Sequence, residues 1–422
     1  MSNVVLTLGF VRRFSGAIIA ALLLASLLFL GASGEQRRLR PTVILVSLDG
    51  FRWDFMGRAD TPNLDRLVAN GVRAERLVPV FPSLTFPNHY SIVTGLYAEH
   101  HGIVSNTMYD PDMHARFRIS DQKAVSDGRW WGGEPLWVTA QKQGQVAASF
   151  FWPGSEAVID GMRPTFWKHF DSRVPHAARV AQVMEWLDLP EEKRPTFVTM
   201  YFRDVDHAAH DYDPDSAPQV DAAIARVDSA IGLLLTGLDA RGITDQVNVI
   251  VVADHGMAAR SRNRVVLVDD YVDLETAKVI DWNPNVALRP DTAHVAEVYE
   301  ALKSANVHLK VYRKEEIPAR FHYRNNPRIA PILGMADVGW SISSHGYYDS
   351  RPERFEGGSH GWDNQALSMG ALFVASGPAF RRSVVVPPFQ NIHIYDLVCH
   401  ILGLTPAPND GSLDSVRVML QQ

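Results

Sequence analysis

Five short apolar runs constrain the fold of this chain more than any other feature. They lie at 43–48, 146–151, 197–202, 247–253 and 371–375, and each is almost continuously apolar over the length of a strand. A strand with one wet face alternates apolar and polar residues, so unbroken runs predict strands buried on both faces, as in a parallel sheet. Helical patterns fall between them at 63–69, 176–187, 219–238 and 392–402. This alternation predicts an α/β fold, a mostly parallel central sheet with helices on both faces. Two stretches break the pattern. Residues 105–134 are rich in polar and aromatic side chains, and residues 260–349 mix one helical pattern, at 292–304, with extended and loop segments. Both are read as insertions in a domain of 41–422, forming a small cap subdomain.

Open α/β sheets carry their chemistry at the carboxyl ends of the strands. The first run leads into Ser47-Leu48-Asp49-Gly50. The third is followed by Asp204, Asp206, His207 and His210, and the fourth runs into Asp254-His255-Gly256. Gly358-Ser359-His360-Gly361 precedes the last. Carboxylate with imidazole suits borderline metals, zinc above all. Asp206 and His210 are four residues apart, so one helical turn or a tight loop joins both to one ion. Asp254 and His255 are adjacent, so they belong where the strand ends and Gly256 permits a bend. Each residue alone reads as a turn former or a packed side chain; their recurrence at strand ends carries the argument. A candidate nucleophile, Thr85, lies in Phe81-Pro82-Ser83-Leu84-Thr85-Phe86-Pro87-Asn88-His89. Pro87 predicts a helix over about 88–94, with Thr85 just before its N-terminus, where backbone N–H groups and the helix dipole favour an anion. The local sequence leaves open whether Thr85 reacts or caps the helix, and Ser83 is a competing hydroxyl.

Arg12 and Arg13 precede an apolar run over 17–30 that ends in Gly31-Ala32-Ser33-Gly34. A basic start, a short apolar stretch and small residues predict an export signal over 1–33. The run is shorter than the ~20 residues of a comfortable membrane span. The expectation is an exported protein, periplasmic or secreted. Cleavage near Ser33 is favoured over a retained anchor, with no stable membrane insertion afterwards. The single cysteine, Cys399, excludes an intrachain disulfide and every thiolate zinc motif. That absence and the lack of an Asn-x-Ser/Thr sequon suit a bacterial exported protein. With 41 basic and 47 acidic residues the net charge is −6, which argues against a nucleic-acid scaffold.

Taken together, these segments resemble the nucleotide pyrophosphatase/phosphodiesterase family of the alkaline phosphatase superfamily, in a bacterial-type form. The resemblance is carried by Val46-Ser47-Leu48-Asp49-Gly50-Phe51-Arg52, by 81–89 and by Gly102-Ile103-Val104-Ser105-Asn106. It continues through Phe151-Trp152-Pro153-Gly154-Ser155-Glu156, 201–210, Asp254-His255-Gly256-Met257 and Gly358-Ser359-His360-Gly361. It implies an alkaline-phosphatase-like fold and two Zn2+ ions per chain. Asp49, Thr85, Asp254 and His255 match the ligands of one ion; Asp206, His210 and His360 match those of the other. His207, between two of these, is read as a neighbour. Thr85 matches the nucleophile and Asn106 the group that binds a phosphoryl oxygen. Phe86 and Tyr201 match an aromatic slot, which Phe170 completes. The implied activity is hydrolysis of nucleotide phosphodiester or phosphoanhydride bonds in small-molecule substrates through a phospho-threonine intermediate. Near Thr85 and Asn106 only Phe86, Pro87, Ile103 and Tyr109 are evident, with no basic residue, which favours diesters over monoesters. Alternatives on the same site are a phosphonate hydrolase and a glycerophosphodiester or lysophospholipid phosphodiesterase; one of another class is an exported binding protein without catalysis. A sulfatase is disfavoured, because threonine cannot be converted to formylglycine.

Overall fold

The first apolar run forms β1 (Thr42–Leu48), buried at every position. It lies inside an eight-stranded sheet in the computed structural model, which describes residues 39–282 and 284–421. The leader expected at 1–33 falls outside the described residues. The other strands are β2 (Gly71–Ala74), β3 (Ala147–Phe150), β4 (Phe166–Trp167), β5 (Phe197–Phe202), β6 (Val247–Val252), β7 (Phe373–Ser376) and β8 (Val384–Val386). Their order across the sheet is β8-β2-β7-β6-β1-β5-β3-β4. β1 pairs parallel with both β5 and β6, and β7 alone runs antiparallel, against β6 and β2. The sheet is therefore mostly parallel, as expected. All five apolar runs became strands within it, and β2, β4 and β8 extend it beyond them.

Complete burial of β1 and β6 requires cover on both faces. The helices are α1 (Pro62–Ala69), α2 (Thr85–Thr94), α3 (Leu136–Lys142), α4 (His176–Leu187), α5 (Asp204–Asp211), α6 (Pro218–Ala240) and α7 (His393–Leu402). One layer packs α1, α4 and α5 on α6, and the other packs α2 and α3 on α7. Helix α6 buries Val220, Ile224, Val227, Ile231, Leu234 and Leu238 at helical spacing, each contributing about 1.5–3 kcal/mol against exposure. Its buried Asp228 also accepts from the Leu64 N–H at 2.8 Å. It thereby caps the first turn of α1, where the Thr61 side chain makes no cap bond.

Helix α2 corrects one expectation. It begins at Thr85 and not near residue 88, with Leu84 as its N-cap. Pro87 is the third helical residue, where its missing N–H forfeits no intrahelical bond. Thr85 is therefore inside the first turn and not ahead of it.

Residues 260–349 hold a second, antiparallel sheet of Val279–Asp281, Asn285–Leu288, Ile332–Ala336 and Leu309–Arg313, in that order. Val286, Leu288, Val298, Leu302, Leu309 and Ile332 are buried together as its core. Residues 105–134 contain the hairpin Thr107–Asp110/Ala115–Arg118. The two segments are fastened together. Arg328 pairs with Asp110 at 2.7 Å and donates to the Gly102 and Trp130 carbonyls at 2.8 and 2.6 Å. Tyr323 OH donates to the Val104 carbonyl at 2.8 Å, and Ser105 Oγ to Asp281.

Candidate active site

The carboxyl ends of β1, β5 and β6 converge. The Asp49 N–H donates to the Phe202 carbonyl at 2.9 Å, and the Asp206 N–H to the Asp49 carbonyl at 3.0 Å. Gly50 makes this approach possible: its φ is +68°, and a Cβ there would lie 2.8 Å from the Asp206 Cα. Its N–H donates to Asp254 Oδ1 at 3.2 Å. Three carboxylates on three strand ends are thus locked by backbone contacts.

Three imidazoles face them. His255 Nε2 lies 3.0 Å from Asp254 Oδ2 and 3.6 Å from Asp49 Oδ1. His210 Nε2 lies 3.3 Å from Asp206 Oδ1, and His360 Nε2 lies 3.6 Å from the same oxygen. The rings of His255 and His360 stack at 3.5 Å. Each imidazole uses Nδ1 as a donor to a backbone carbonyl: His210 to Gly358 at 3.1 Å, His255 to Gly256 at 2.9 Å, His360 to Ser83 at 2.9 Å. That fixes the tautomer and leaves every Nε2 a lone pair aimed inward. The Nε2 atoms of His210 and His360 are only 3.1 Å apart. Two such lone pairs need a proton or a cation between them.

The carboxylates have the same need. Asp49 Oδ1, Asp206 Oδ1 and Asp254 Oδ2 are buried and, among the described residues, accept no hydrogen bond. Leaving such oxygens unpaired in a low-dielectric site is costly. Burial, then the neighbouring Asp254, pushes the Asp49 carboxyl well up. Asp206 and Asp254 are also raised by burial, but the imidazoles overcome it and hold both below the usual carboxylate range. Burial and the nearby His255 push the His360 imidazole down to about 3. Two overlapping donor sets, Asp49/Asp254/His255 and Asp206/His255/His360, each have ligand atoms within 4.8 Å of one another. The donor set fits divalent cations of the zinc type.

Thr85 Oγ1 stands 3.4 Å from His255 Nε2 at the edge of this cluster. The Phe86 N–H donates to Asn106 Oδ1 at 3.0 Å, so the Asn106 amide is oriented with its oxygen on the helix and its Nδ2 as the remaining donor. One cavity of about 320 Å³ joins Asp49, Thr85, Phe86, Tyr201, Asp206 and Phe170. Phe86 packs in it against Phe117 and Trp131, both with ring centres at 5.9 Å and 5.9 Å, while Tyr201 meets Phe170 at 5.8 Å. His207 is exposed and lines a different groove, with His176 and Asp204.

Three features were not read from the sequence. Tyr201 is not only an aromatic wall: its hydroxyl donates to Asp49 Oδ2 at 2.6 Å. His89 lies 3.3 Å from Asp254 Oδ2, donates from Nδ1 to the Thr85 carbonyl at 2.9 Å and accepts from Ser47 Oγ at 2.7 Å. Its spacing of four from Thr85 was the available signal. Arg203 lines the same cavity as Thr85 and Phe86, which corrects the expectation that no basic side chain lies close by. It sits one residue beyond β5, at a strand end.

The family described as type I phosphodiesterase / nucleotide pyrophosphatase matches residues 43–363. The chain belongs to this family. As a family member it sits among hydrolases of phosphodiester and pyrophosphate bonds. It is 38% identical over 392 residues to ectonucleotide pyrophosphatase/phosphodiesterase family member 3 of Rattus norvegicus, covering 90% of this chain and 44% of that protein. It is 38% identical over 381 residues to bis(5'-adenosyl)-triphosphatase enpp4 of Xenopus laevis, covering 90% and 82%. The chain thus spans less than half of some curated relatives and most of others. Among solved structures, murine ectonucleotide pyrophosphatase/phosphodiesterase 5 superposes with a TM-score of 0.86 at 36% identity, over 90% of this chain and all of that one. The fold described above is shared with that structure.

Proposed function

We propose that this chain is a two-zinc phosphodiesterase/pyrophosphatase that cleaves nucleotide phosphodiester or phosphoanhydride bonds through a phosphorylated Thr85. The observation that carries this reading is the inward aim of three buried, unbonded carboxylate oxygens and three imidazole lone pairs beside one hydroxyl. Asp49, Thr85, Asp254 and His255 would hold one ion and Asp206, His210 and His360 the other. When bound, the ions lower the pKa of a coordinated hydroxyl and neutralise charge on the entering and leaving oxygens.

The chain's own residues do the rest. Thr85 gives up its proton to water, and its Oγ1 forms a bond to phosphorus while the bond to the leaving oxygen breaks on the opposite side. That side is the Asp206, His210 and His360 cluster. The leaving oxygen takes a proton from water. Water then adds to phosphorus and loses a proton to bulk water, while the bond from phosphorus to Thr85 Oγ1 breaks and Oγ1 takes up a proton from water. Asn106 Nδ2 donates to a non-bridging phosphoryl oxygen, a fixed dipole in place before charge develops. Tyr201, through Asp49, and His89, through the Thr85 carbonyl and Asp254, hold the carboxylates and the first turn of α2 in register. Phe86, Tyr201 and Phe170 wall the slot for the nucleoside or another apolar substituent.

Relatives support the reading. One is a bis(5'-adenosyl)-triphosphatase, and one solved neighbour is an inactive threonine-to-alanine variant in complex with AMP. Export is proposed alongside. Relatives include ectonucleotide enzymes and a venom phosphodiesterase of Naja atra, 40% identical over 389 residues, 90% of this chain and 46% of that protein. Among the described residues no helix is long and apolar enough to cross a membrane. The test is a rate assay on bis(p-nitrophenyl) phosphate before chelation, after it, and after zinc is returned. Activity is expected to vanish and come back. Rates indifferent to chelator would refute the proposal. Parallel assays on phosphonoacetate and glycerophosphocholine test the alternative substrates.

A further inference from the structure

Asp281 ends the strand Val279–Asp281 of the second sheet and reaches the loop that carries Asn106. Its Oδ2 accepts from Ser105 Oγ, and its Oδ1 from the Trp282 N–H at 2.9 Å. The Thr107 N–H faces the same carboxylate. The two chain neighbours of Asn106, one on each side, therefore converge on a single acidic group. Ser105 is buried, so its hydroxyl depends on that carboxylate for an acceptor. Leu84, the N-cap of α2, lines the same small recess as Ser105, Asp281 and Trp282.

Asn106 has two bonds of its own. Its carbonyl accepts from the Ile119 N–H at 3.1 Å, and its Oδ1 from the Phe86 N–H at 3.0 Å. The hairpin that follows it has two strands of four residues each, and a lone two-stranded hairpin is marginal in water. A fixed reference comes from outside, because Asp281 belongs to the sheet with its own buried core of Val286, Leu288, Val298 and Leu309. Arg116 of the hairpin donates to the Val279 carbonyl at 3.2 Å, on the same strand as Asp281. Burial raises the Asp281 carboxyl to about 7, against the Ser105 hydroxyl, the Trp282 N–H, the Arg116 guanidinium and the Thr107 N–H, which favour its charge. A carboxylate set where burial opposes its charge is costly, and these donors are what offset the cost.

We infer that Asp281 is a positioning residue for Asn106: by holding Ser105 and Thr107 it keeps Asn106 Nδ2 aimed at the phosphoryl oxygen. The inference rests on the Thr85 reading for what that donor meets. Asp281 is not among the residues that line the cavity of Thr85, Phe86 and Tyr201, so it acts through the loop and not on the substrate. The rate of the reaction thereby depends on the second sheet, since a donor misplaced by about 1 Å costs on the order of 10²-fold.

The experiment is a double-mutant cycle on the zinc-loaded protein with bis(p-nitrophenyl) phosphate. Asp281→Ala should lower kcat by about tenfold or more, with KM within about twofold. Asp281→Asn, which keeps an acceptor for Ser105, should recover most of that loss. With Asn106→Ala already in place, Asp281→Ala should change kcat by less than about twofold, because the donor it aligns is gone. If Asp281→Ala does not fold, Ser105→Ala breaks the same link and takes its place in the cycle. Additive losses, a loss carried by KM, or an unchanged kcat would overturn the inference. Hydrogen exchange separates it from the phosphodiesterase reading. Asp281→Ala should speed exchange at the Phe86 and Thr107 amides by about tenfold or more, with the β1 amides as in wild type. If wild type cleaves no diester yet that exchange accelerates, the phosphodiesterase reading fails and the positioning contact stands. If exchange at both amides matches wild type, the inference fails whatever the activity.

Discussion

Thr85 and Asn106 are the residues on which the proposed chemistry turns, and they predict different failures. Thr85→Ala removes the attacking oxygen but none of the carboxylates or imidazoles, so kcat should fall by about 10³-fold or more while zinc still binds. Retained turnover would move the nucleophile to Ser83 or to water. Asn106→Ala removes one aimed donor and should cost about 10²–10³-fold in kcat with little change in KM. A loss confined to KM would show that Asn106 only binds substrate. Asp281, bonded to Ser105 beside Asn106, makes a separate prediction in pH. Burial pushes its carboxyl up to about 7, against the lowering effect of the Ser105 hydroxyl. In the unfolded chain it titrates near about 4, so between about 4 and 7 the folded state binds the extra proton. Its contribution to stability is therefore present at low pH and is lost as pH rises through that window. Urea midpoints of wild type and Asp281→Asn should diverge as pH goes from 5 to 8, with the asparagine variant losing less. The opposite divergence would contradict the burial argument.

At the level of elements, the fastening of the two insertions is the testable feature. The Arg328–Asp110 pair is nearly enclosed, with side-chain exposures of 12% and 7%. Arg328→Ala would leave Asp110 Oδ2 and the Gly102 and Trp130 carbonyls without their donor, while Asp110 Oδ1 keeps the Asp112 and Met113 N–H groups, a loss of about 3 kcal/mol by analogy with broken buried pairs. The loop that carries Asn106 should loosen with it. Thermal or denaturant unfolding reads the loss, and a change under about 1 kcal/mol would show that the clamp is solvated in practice. The same scale explains what could be read in advance. β1, β5 and β6 are unbroken apolar runs because they are covered on both faces, and so their periodicity is unambiguous. β2 is Gly-Val-Arg-Ala and β8 three valines in a polar context; both owe their strand state to the neighbours they pair with, which no local pattern encodes. The early start of α2 was hidden because proline is tolerated throughout a first turn and marks it only to within a few residues. The antiparallel sheet of 279–336 is built from short strands set among loops, so it showed only as a break in the alternation.

Across the whole molecule, the sheet order does what the sequence could not state. It sets β6, β1 and β5 side by side, and their ends deliver Asp254, Asp49 and Asp206 to one point. Asp49, Asp254 and His255 were legible as candidates because they sit at strand ends with a glycine close by, while Asp206 and His210 were legible by their spacing of four. Tyr201's bond to Asp49 and the place of Arg203 were not, since each depends on a tertiary contact across segments. The proposed mechanism has a direction: Thr85 attacks from one side of the phosphorus and the leaving oxygen departs on the side of Asp206, His210 and His360. The most direct test is therefore the stereochemical course at phosphorus, followed with a chiral phosphorothioate diester cleaved in 18O-labelled water. Two in-line displacements through Thr85 predict net retention of configuration. Net inversion would mean a single direct attack by water, and the role given to Thr85 would be wrong.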